Sequence, residues 1–326
     1  MGRGISLLAT DGLEMDAKKF IDEKTDEIRR IIGSGKGINA LSGGVDSSVV
    51  TLLGHRAIGD RLKTVFMDTG VMREGEPLAV IKTFQKLGVT VHLIEAQQEF
   101  FKAFEGLTDP EEKRKAFRNT FYTVLGKAVK ESAAAFLLQG TIAADISETK
   151  RGVKTQHNIL EQIGIDPQSY GFKVIEPLRD LYKDGVREVA KELGFPSEIF
   201  ERMPFPGPGL STRIIGEVTP ERVAIVRKAV MIVEEETKGL KPFQAFAVLM
   251  NDRATGVTGG EDGKRAFGDM IAIRSVESKD AIRAEVTEVP WDILRKMQRR
   301  IITEIPSVTK VLYDLTPKPP STIEYI

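Results

Sequence analysis

The chain has 326 residues, 41% of them hydrophobic and 29% charged, enough to bury an ordinary core and to divide into about two domains. Its 47 Lys and Arg balance 47 Asp and Glu, so no bulk field recruits nucleic acid or an acidic membrane, and any bound anion must be held locally. Cysteine is absent, which excludes disulfides, thiolate metal sites and cysteine nucleophiles, and His55, His92 and His157 lack the spacing of a zinc site. Apolar runs such as Ala133 to Leu138 fall far short of the ~18 residues a membrane span needs. The N-terminus lacks the layout of a secretory signal, so no membrane association and a cytoplasmic location are expected.

From Asp16 to Ile32, Phe20, Ile21, Ile28, Ile31 and Ile32 recur near helical spacing, which predicts an amphipathic helix stopped by Gly33-Ser34-Gly35. Ile38 to Leu41 reads as a short strand, followed by Ser42-Gly43-Gly44 and a helix from about Ser47 to His55. Next come a strand at Thr64 to Met67, a helix from Glu76 to Leu87, a strand at Val89 to Ile94, a long charged helix from Glu111 to Ser132 and a strand at Phe136 to Gln139. This alternation predicts an α/β fold, a parallel sheet with helices on both faces. Pro206-Gly207-Pro208-Gly209 is the densest turn-forming cluster, and a domain boundary is expected there, giving domains 1–205 and 206–326. Beyond it a helix starts at Thr219-Pro220-Glu221 and runs to about Thr237. Strands at Phe243 to Met250, Met270 to Val276 and Thr309 to Leu315, with a helix from Trp291 to Glu304, predict a smaller α+β domain.

Ser42-Gly43-Gly44-Val45-Asp46-Ser47-Ser48 lies between a predicted strand and a predicted helix, where unpaired N–H groups and the helix dipole favour an anion. Two glycines admit close approach of phosphate oxygens and three serines add donors, so the run reads as a pyrophosphate cradle. It is not a Walker A loop, because no Lys-Ser or Lys-Thr closes it. Asp46 would repel bare polyphosphate unless a cation lay between them, and Mg2+ is the natural bridge, with Asp46 as its ligand. A bare Gly-Gly pair is as often an ordinary turn; the full run argues against that.

The run resembles the signature of the N-type ATP pyrophosphatases, which cleave ATP between its α and β phosphates to adenylate a substrate oxygen. Within that group several later segments are similar, in order and from about Ile38 to Tyr325, to GMP synthase. Met67-Asp68-Thr69-Gly70 follows the second strand, and Asp109 to Lys115 resembles the family's lid with Arg114. Gln139-Gly140-Thr141-Ile142, then Asp145 and Glu148, follow the fourth strand. Pro204-Phe205-Pro206-Gly207-Pro208-Gly209-Leu210 resembles the linker into a dimerisation domain, and Lys318-Pro319-Pro320-Ser321-Thr322-Ile323-Glu324 the segment that grips xanthosine monophosphate (XMP). Each has a blander reading as a rigid turn, a solvated helix face, a capped loop or an extended terminus; their shared order favours the family.

The resemblance implies that Ser42, Gly43, Gly44, Val45, Asp46, Ser47 and Ser48 bind ATP with Met67, Gly140 and Thr141, and that Asp46 and Lys183 are catalytic, Lys183 holding the departing pyrophosphate. It implies that Arg114, Gln244, Lys318, Thr322 and Glu324 bind XMP, and that the C-terminal domain pairs two chains into a homodimer. Where the family has two adjacent histidines this chain has Gln156-His157, Met203 replaces the family's histidine before the linker, and the loop Gly256 to Gly263 carries extra residues. The ATP unit begins by Ile38, leaving no room upstream for an amidotransferase, and there is no cysteine to serve one. Ammonia is therefore expected from a separate glutamine amidotransferase subunit, as in the archaeal type of the enzyme. NAD synthetase, another ATP pyrophosphatase or a catalytically silent nucleotide-binding subunit remain alternatives at this point.

Overall fold

Helix α1, Ala17–Ile32, starts where Asp16 accepts the amide of Lys19 at 2.9 Å and ends at Gly33, and it buries Ile21, Thr25, Ile28 and Ile32 along one face. The structure is a computed structural model that describes residues 15–143, 173–200, 202–257, 264–279 and 281–326. The expected positions Asp145, Glu148, Gln156 and His157 and the loop at 258–263 lie outside those residues.

The described parts of Met1–Lys63, Ala134–Gln156 and Phe172–Phe200 form one compact unit. In it strand β1, Gly37–Leu41, pairs in parallel with β4, Phe136–Leu138, which pairs in parallel with β5, Lys173–Ile175. Helix α2, Val45–Ile58, is buried on most sides, Ser48 and Thr51 included. Helix α6, Lys183–Glu192, packs on α1 and α2 through a buried stripe of Val186, Val189 and Ala190, and the single turn α7, Ser197–Phe200, follows.

The described parts of Thr64–Ala133, His157–Gly171 and Glu201–Ile326 form the second unit. Strand β2, Leu62–Asp68, pairs in parallel with β3, Val91–Glu95, in register from Thr64 opposite Val91 to Asp68 opposite Glu95. Helices α3, Glu76–Lys86, α4, Gln97–Phe104, and α5, Pro110–Ser132, surround this pair in sequence; Asp109 caps α5 by accepting the amides of Glu111 and Glu112, both at 2.9 Å.

The C-terminal part of the second unit has α8, Pro220–Thr237, packed on a four-stranded sheet. There β6, Gln244–Val257, and the short β8, Glu285–Val286, run antiparallel to β7, Arg265–Glu277, while β9, Val308–Tyr313, runs parallel to it. Helix α9, Trp291–Glu304, contacts α8 and β9. Phe246, Val248, Ile271 and Ile273 from the strands and Val226, Ala229, Val230 and Val233 from α8 are buried in its core. Gly209 has φ +61, and a Cβ there would lie 2.2 Å from the Val71 carbonyl oxygen, so the turn cluster lies on the loop after β2 only because glycine stands at this position.

Parallel strands alternating with helices, followed by a smaller α+β sheet, are the expected fold class. Five elements go beyond the sequence-based expectation: α4, whose buried face is only Phe100 and Phe104, the three-residue β5, α6, α7 and the two-residue β8. Strands β6 and β7 also run further than expected: residues 251–257 are largely exposed and carry charges, residues 265–270 mix exposed, half-buried and buried positions, and the register shifts between Leu249 and Arg253.

Candidate active site

In the first unit the chain leaves β1 at Leu41 and turns through Gly43, φ +77, and Gly44, the N-cap of α2. No side chain caps that helix start. The serines fold back on the turn: Ser42 Oγ and Ser47 Oγ lie 2.9 Å apart, Ser47 Oγ also accepts the Ser42 amide at 3.1 Å, and Ser47 and Ser48 donate to the Gly44 carbonyl at 3.1 and 2.8 Å. A Cβ on Gly140 would sit 3.1 Å from the Asp46 carbonyl carbon and the Ser47 nitrogen, so glycine lets the segment after β4 pack closely on the loop. Beside it Thr141 donates to Glu176 Oε1 at 2.6 Å. The uncapped start of α2 presents amide dipoles that favour an anion.

Asp46 stands on the first turn of α2, where its Oδ2 accepts from Lys183 Nζ at 2.7 Å and its Oδ1 is buried without a partner. Lys183 is the first residue of α6 and is half exposed. A buried carboxylate oxygen with no donor costs free energy until something supplies positive charge. That donor set suits a magnesium ion, which binds through one or two carboxylates and completes its shell with phosphate and water. Among the described residues no group of three His, Cys, Asp or Glu could hold a metal alone.

In the second unit Met67 is buried near the end of β2 and stands opposite Ile94. The adjacent Asp68 accepts from the Gly70 amide at 2.9 Å and from Gln97 Nε2 at 2.8 Å. On the first two turns of α5, Arg114 pairs with Glu111, and its neighbour Lys113 is buried with Nζ donating to the carbonyls of Ile214 and Gly216 at 2.7 and 3.0 Å. Burial, reinforced by Arg222 and Arg114, pushes the Lys113 ammonium down to about 8.

The C-terminal candidates gather around Glu324. Gln244, the first residue of β6, donates from Nε2 to Glu324 Oε1 at 2.5 Å and to the Pro204 carbonyl at 3.1 Å. Thr322 Oγ1 donates to the Glu324 carbonyl. Arg213 donates to Glu324 from Nη2 at 3.1 Å and from Nε at 3.3 Å, with its side chain 1% exposed. Its guanidinium carbon lies 4.2 Å from the centre of the Phe246 ring and 4.9 Å from that of Phe205, and Nη1 is buried without a partner. Lys318 instead donates to the Ala281 carbonyl at 2.8 Å. The structure therefore brings Gln244, Thr322 and Glu324 together, while Lys318 and Arg114 have other partners. Sequence reasoning missed Arg213 and Lys113. No sequence signal marks Arg213, the single cation within Gly209 to Ile214, because only the fold shows that stretch to be buried throughout.

Residues 232–325 match the family described as GMP synthase C terminal domain, and residues 16–128 match the family described as NAD synthase. A protein of Thermococcus kodakarensis, named as one of the subunits of glutamine-hydrolyzing GMP synthase, is 54% identical over 311 residues, which covers 94% of this chain and 99% of that one. Proteins of the same name from Methanopyrus kandleri and Archaeoglobus fulgidus are each 53% identical; the matches cover 95% of this chain in both cases, and 99% and 100% of theirs. Sharing about half its residues with these proteins along nearly its whole length, the chain belongs to their family of GMP synthase subunits.

Proposed function

We propose the following division of labour for this C–N ligase, which makes GMP from XMP as the ATP pyrophosphatase subunit of its enzyme. The near full-length identity to named GMP synthase subunits carries the overall reaction. The purine oxygen of XMP attacks the α-phosphorus of ATP, pyrophosphate leaves, and ammonia then adds to the activated ring carbon and expels AMP.

The turn Ser42, Gly43, Gly44, Val45, Asp46, Ser47 and Ser48 cradles the pyrophosphate portion of ATP, supported by the uncapped start of α2. Gly140 and Thr141 flank that turn, and Met67 contributes backbone to the adenine. Lys183 neutralises the departing pyrophosphate, a role supported by its reach to the same turn through Asp46 at 2.7 Å. Asp46 holds Mg2+, which when bound offsets phosphate charge; the unpartnered Oδ1 supports that assignment. Preorganised amides and cations lower the barrier, with no covalent enzyme intermediate.

Gln244, Thr322, Glu324, Lys318 and Arg114 bind XMP. To these the geometry adds Arg213, whose Nη1 is, among the described residues, the buried cationic donor of the cluster without an acceptor. A boundary near residues 205 and 206 separates the ATP pyrophosphatase domain from a C-terminal domain that forms the homodimer. Glutamine hydrolysis belongs to a separate amidotransferase, because the chain has no cysteine to attack the amide. Among the described residues no helix is long and apolar enough to cross a membrane, and ATP and XMP point to the cytoplasm.

The test is GMP formation by the purified chain with XMP, ATP, magnesium and ammonium. One AMP and one pyrophosphate should appear per GMP, and no GMP should form when glutamine is the only nitrogen source. ATP cleavage that is indifferent to XMP would contradict the assignment.

A further inference from the structure

We propose that Arg274 is a positioning residue for XMP, a single guanidinium around which the C-terminal tail is wound. Arg274 lies on β7 opposite Phe246 of β6, and its side chain is fully buried. From Nη1 it donates to Asp314 Oδ2 at 2.7 Å and to the Thr316 carbonyl at 2.9 Å. Nη2 donates to the Thr322 carbonyl at 2.6 Å, and Nε to the Ile323 carbonyl at 2.9 Å. The acceptors lie on both sides of the Pro319-Pro320 turn, so one planar group ties the start of the tail to its end.

That arrangement controls where Glu324 stands. Residues 314–326 form no helix or strand beyond one isolated bridge at Lys318, so most of their carbonyls have no ladder partner. Arg274 satisfies three of them, and two belong to the residues just before Glu324. The Glu324 carboxylate then meets Gln244 and Arg213, and Phe246, the cross-strand neighbour of Arg274, stacks on Arg213. No atom of Arg274 needs to touch the nucleotide. Lysine is a poor substitute: its ammonium has three donors in tetrahedral array and lacks the fork that spans four acceptors in one plane.

This inference rests on the proposal that the tail binds XMP, and the two can fail separately. Arg274→Lys and Asp314→Asn are compared with a chain lacking residues 318–326 in ammonia-dependent GMP synthesis and in hydrogen exchange. Arg274→Lys should raise KM for XMP by about tenfold or more, as expected for lost charge-assisted hydrogen bonds. Its kcat at saturating XMP should stay within about threefold of the parent and KM for ATP should not move, because a displaced binding group is restored by mass action. Asp314→Asn keeps an acceptor and should shift KM for XMP the same way by about threefold. In both variants amides of 316–325 should exchange faster while those of β6 and β7 do not.

A KM for XMP within twofold of the parent in both variants overturns the inference, as does a fall in kcat with faster exchange throughout the sheet, the signature of a purely structural arginine. XMP affinity that survives removal of residues 318–326 overturns the tail reading itself, and this inference with it.

Discussion

In the proposed function the turn at Ser42 to Ser48 and the cluster at Glu324 each meet a phosphorylated ligand, yet they are assembled by opposite means. The turn is local: seven consecutive residues, two of them glycine, supply its curvature, its hydroxyls and the start of α2, and only Gly140, Thr141 and Lys183 come from elsewhere. The cluster draws Arg213, Gln244 and Glu324 from three segments far apart in sequence, and Arg274, from a fourth, holds the last of them. A contiguous turn keeps its geometry through backbone bonds among neighbours. A dispersed cluster keeps its geometry through side chains brought from distant segments, the neutral Gln244 as well as the buried cations Arg213 and Arg274, and each is a point of failure.

Substitutions should separate these two constructions. The largest effect is expected at Asp46, where asparagine retains the size and helix-start preference but loses the charge. Asp46→Asn should reduce XMP-dependent ATP/pyrophosphate exchange by about a hundredfold or more, the scale of losing an electrostatic group at a phosphoryl centre. Its melting temperature should stay close to the parent value; preserved exchange with lowered stability would make Asp46 a structural partner of Lys183 instead.

In the dispersed cluster, Arg213→Met keeps much of the buried volume against Phe205 and Phe246 while leaving Glu324 without its ion pair. Calorimetry should show XMP binding weakened by about a hundredfold, in line with the loss of charge-assisted contacts, and ATP binding unchanged. Equal losses for the two nucleotides would mean that Arg213 only supports the fold.

The smallest effect concerns Lys113, which grips the carbonyls that follow Arg213. Its native pKa, about 8, lies below that of an unfolded lysine, so between about pH 8 and about pH 10.4 the unfolded chain binds more protons than the native one. The Lys113 contribution to stability therefore rises with pH through that window and is least favourable below pH 8. Denaturant unfolding across the window should show the parent gaining stability relative to Lys113→Met; a constant gap would mean that Lys113 titrates normally.

The same contrast explains what the sequence alone makes legible. The turn, α1 and its Asp16 cap, and α8 with its Thr219-Pro220 start can be read because their determinants are neighbours in the chain. Helix α4 cannot, since two phenylalanines are its only buried residues, and β5 cannot, since three residues carry no period. Gln244, Thr322 and Glu324 follow from family resemblance, and the structure draws them together. Arg213, Lys113 and Arg274 are invisible because an arginine or lysine in a sequence looks solvated until the fold shows which carbonyls and carboxylates surround it.

The central claim is that XMP itself is adenylated. XMP labelled with oxygen-18 at the purine oxygen that gives way to nitrogen should be turned over with ATP and ammonium, and the products analysed by mass spectrometry. The account predicts that the heavy oxygen appears in AMP, one atom per GMP formed, with pyrophosphate unlabelled. Heavy oxygen in pyrophosphate or water, with none in AMP, would contradict it.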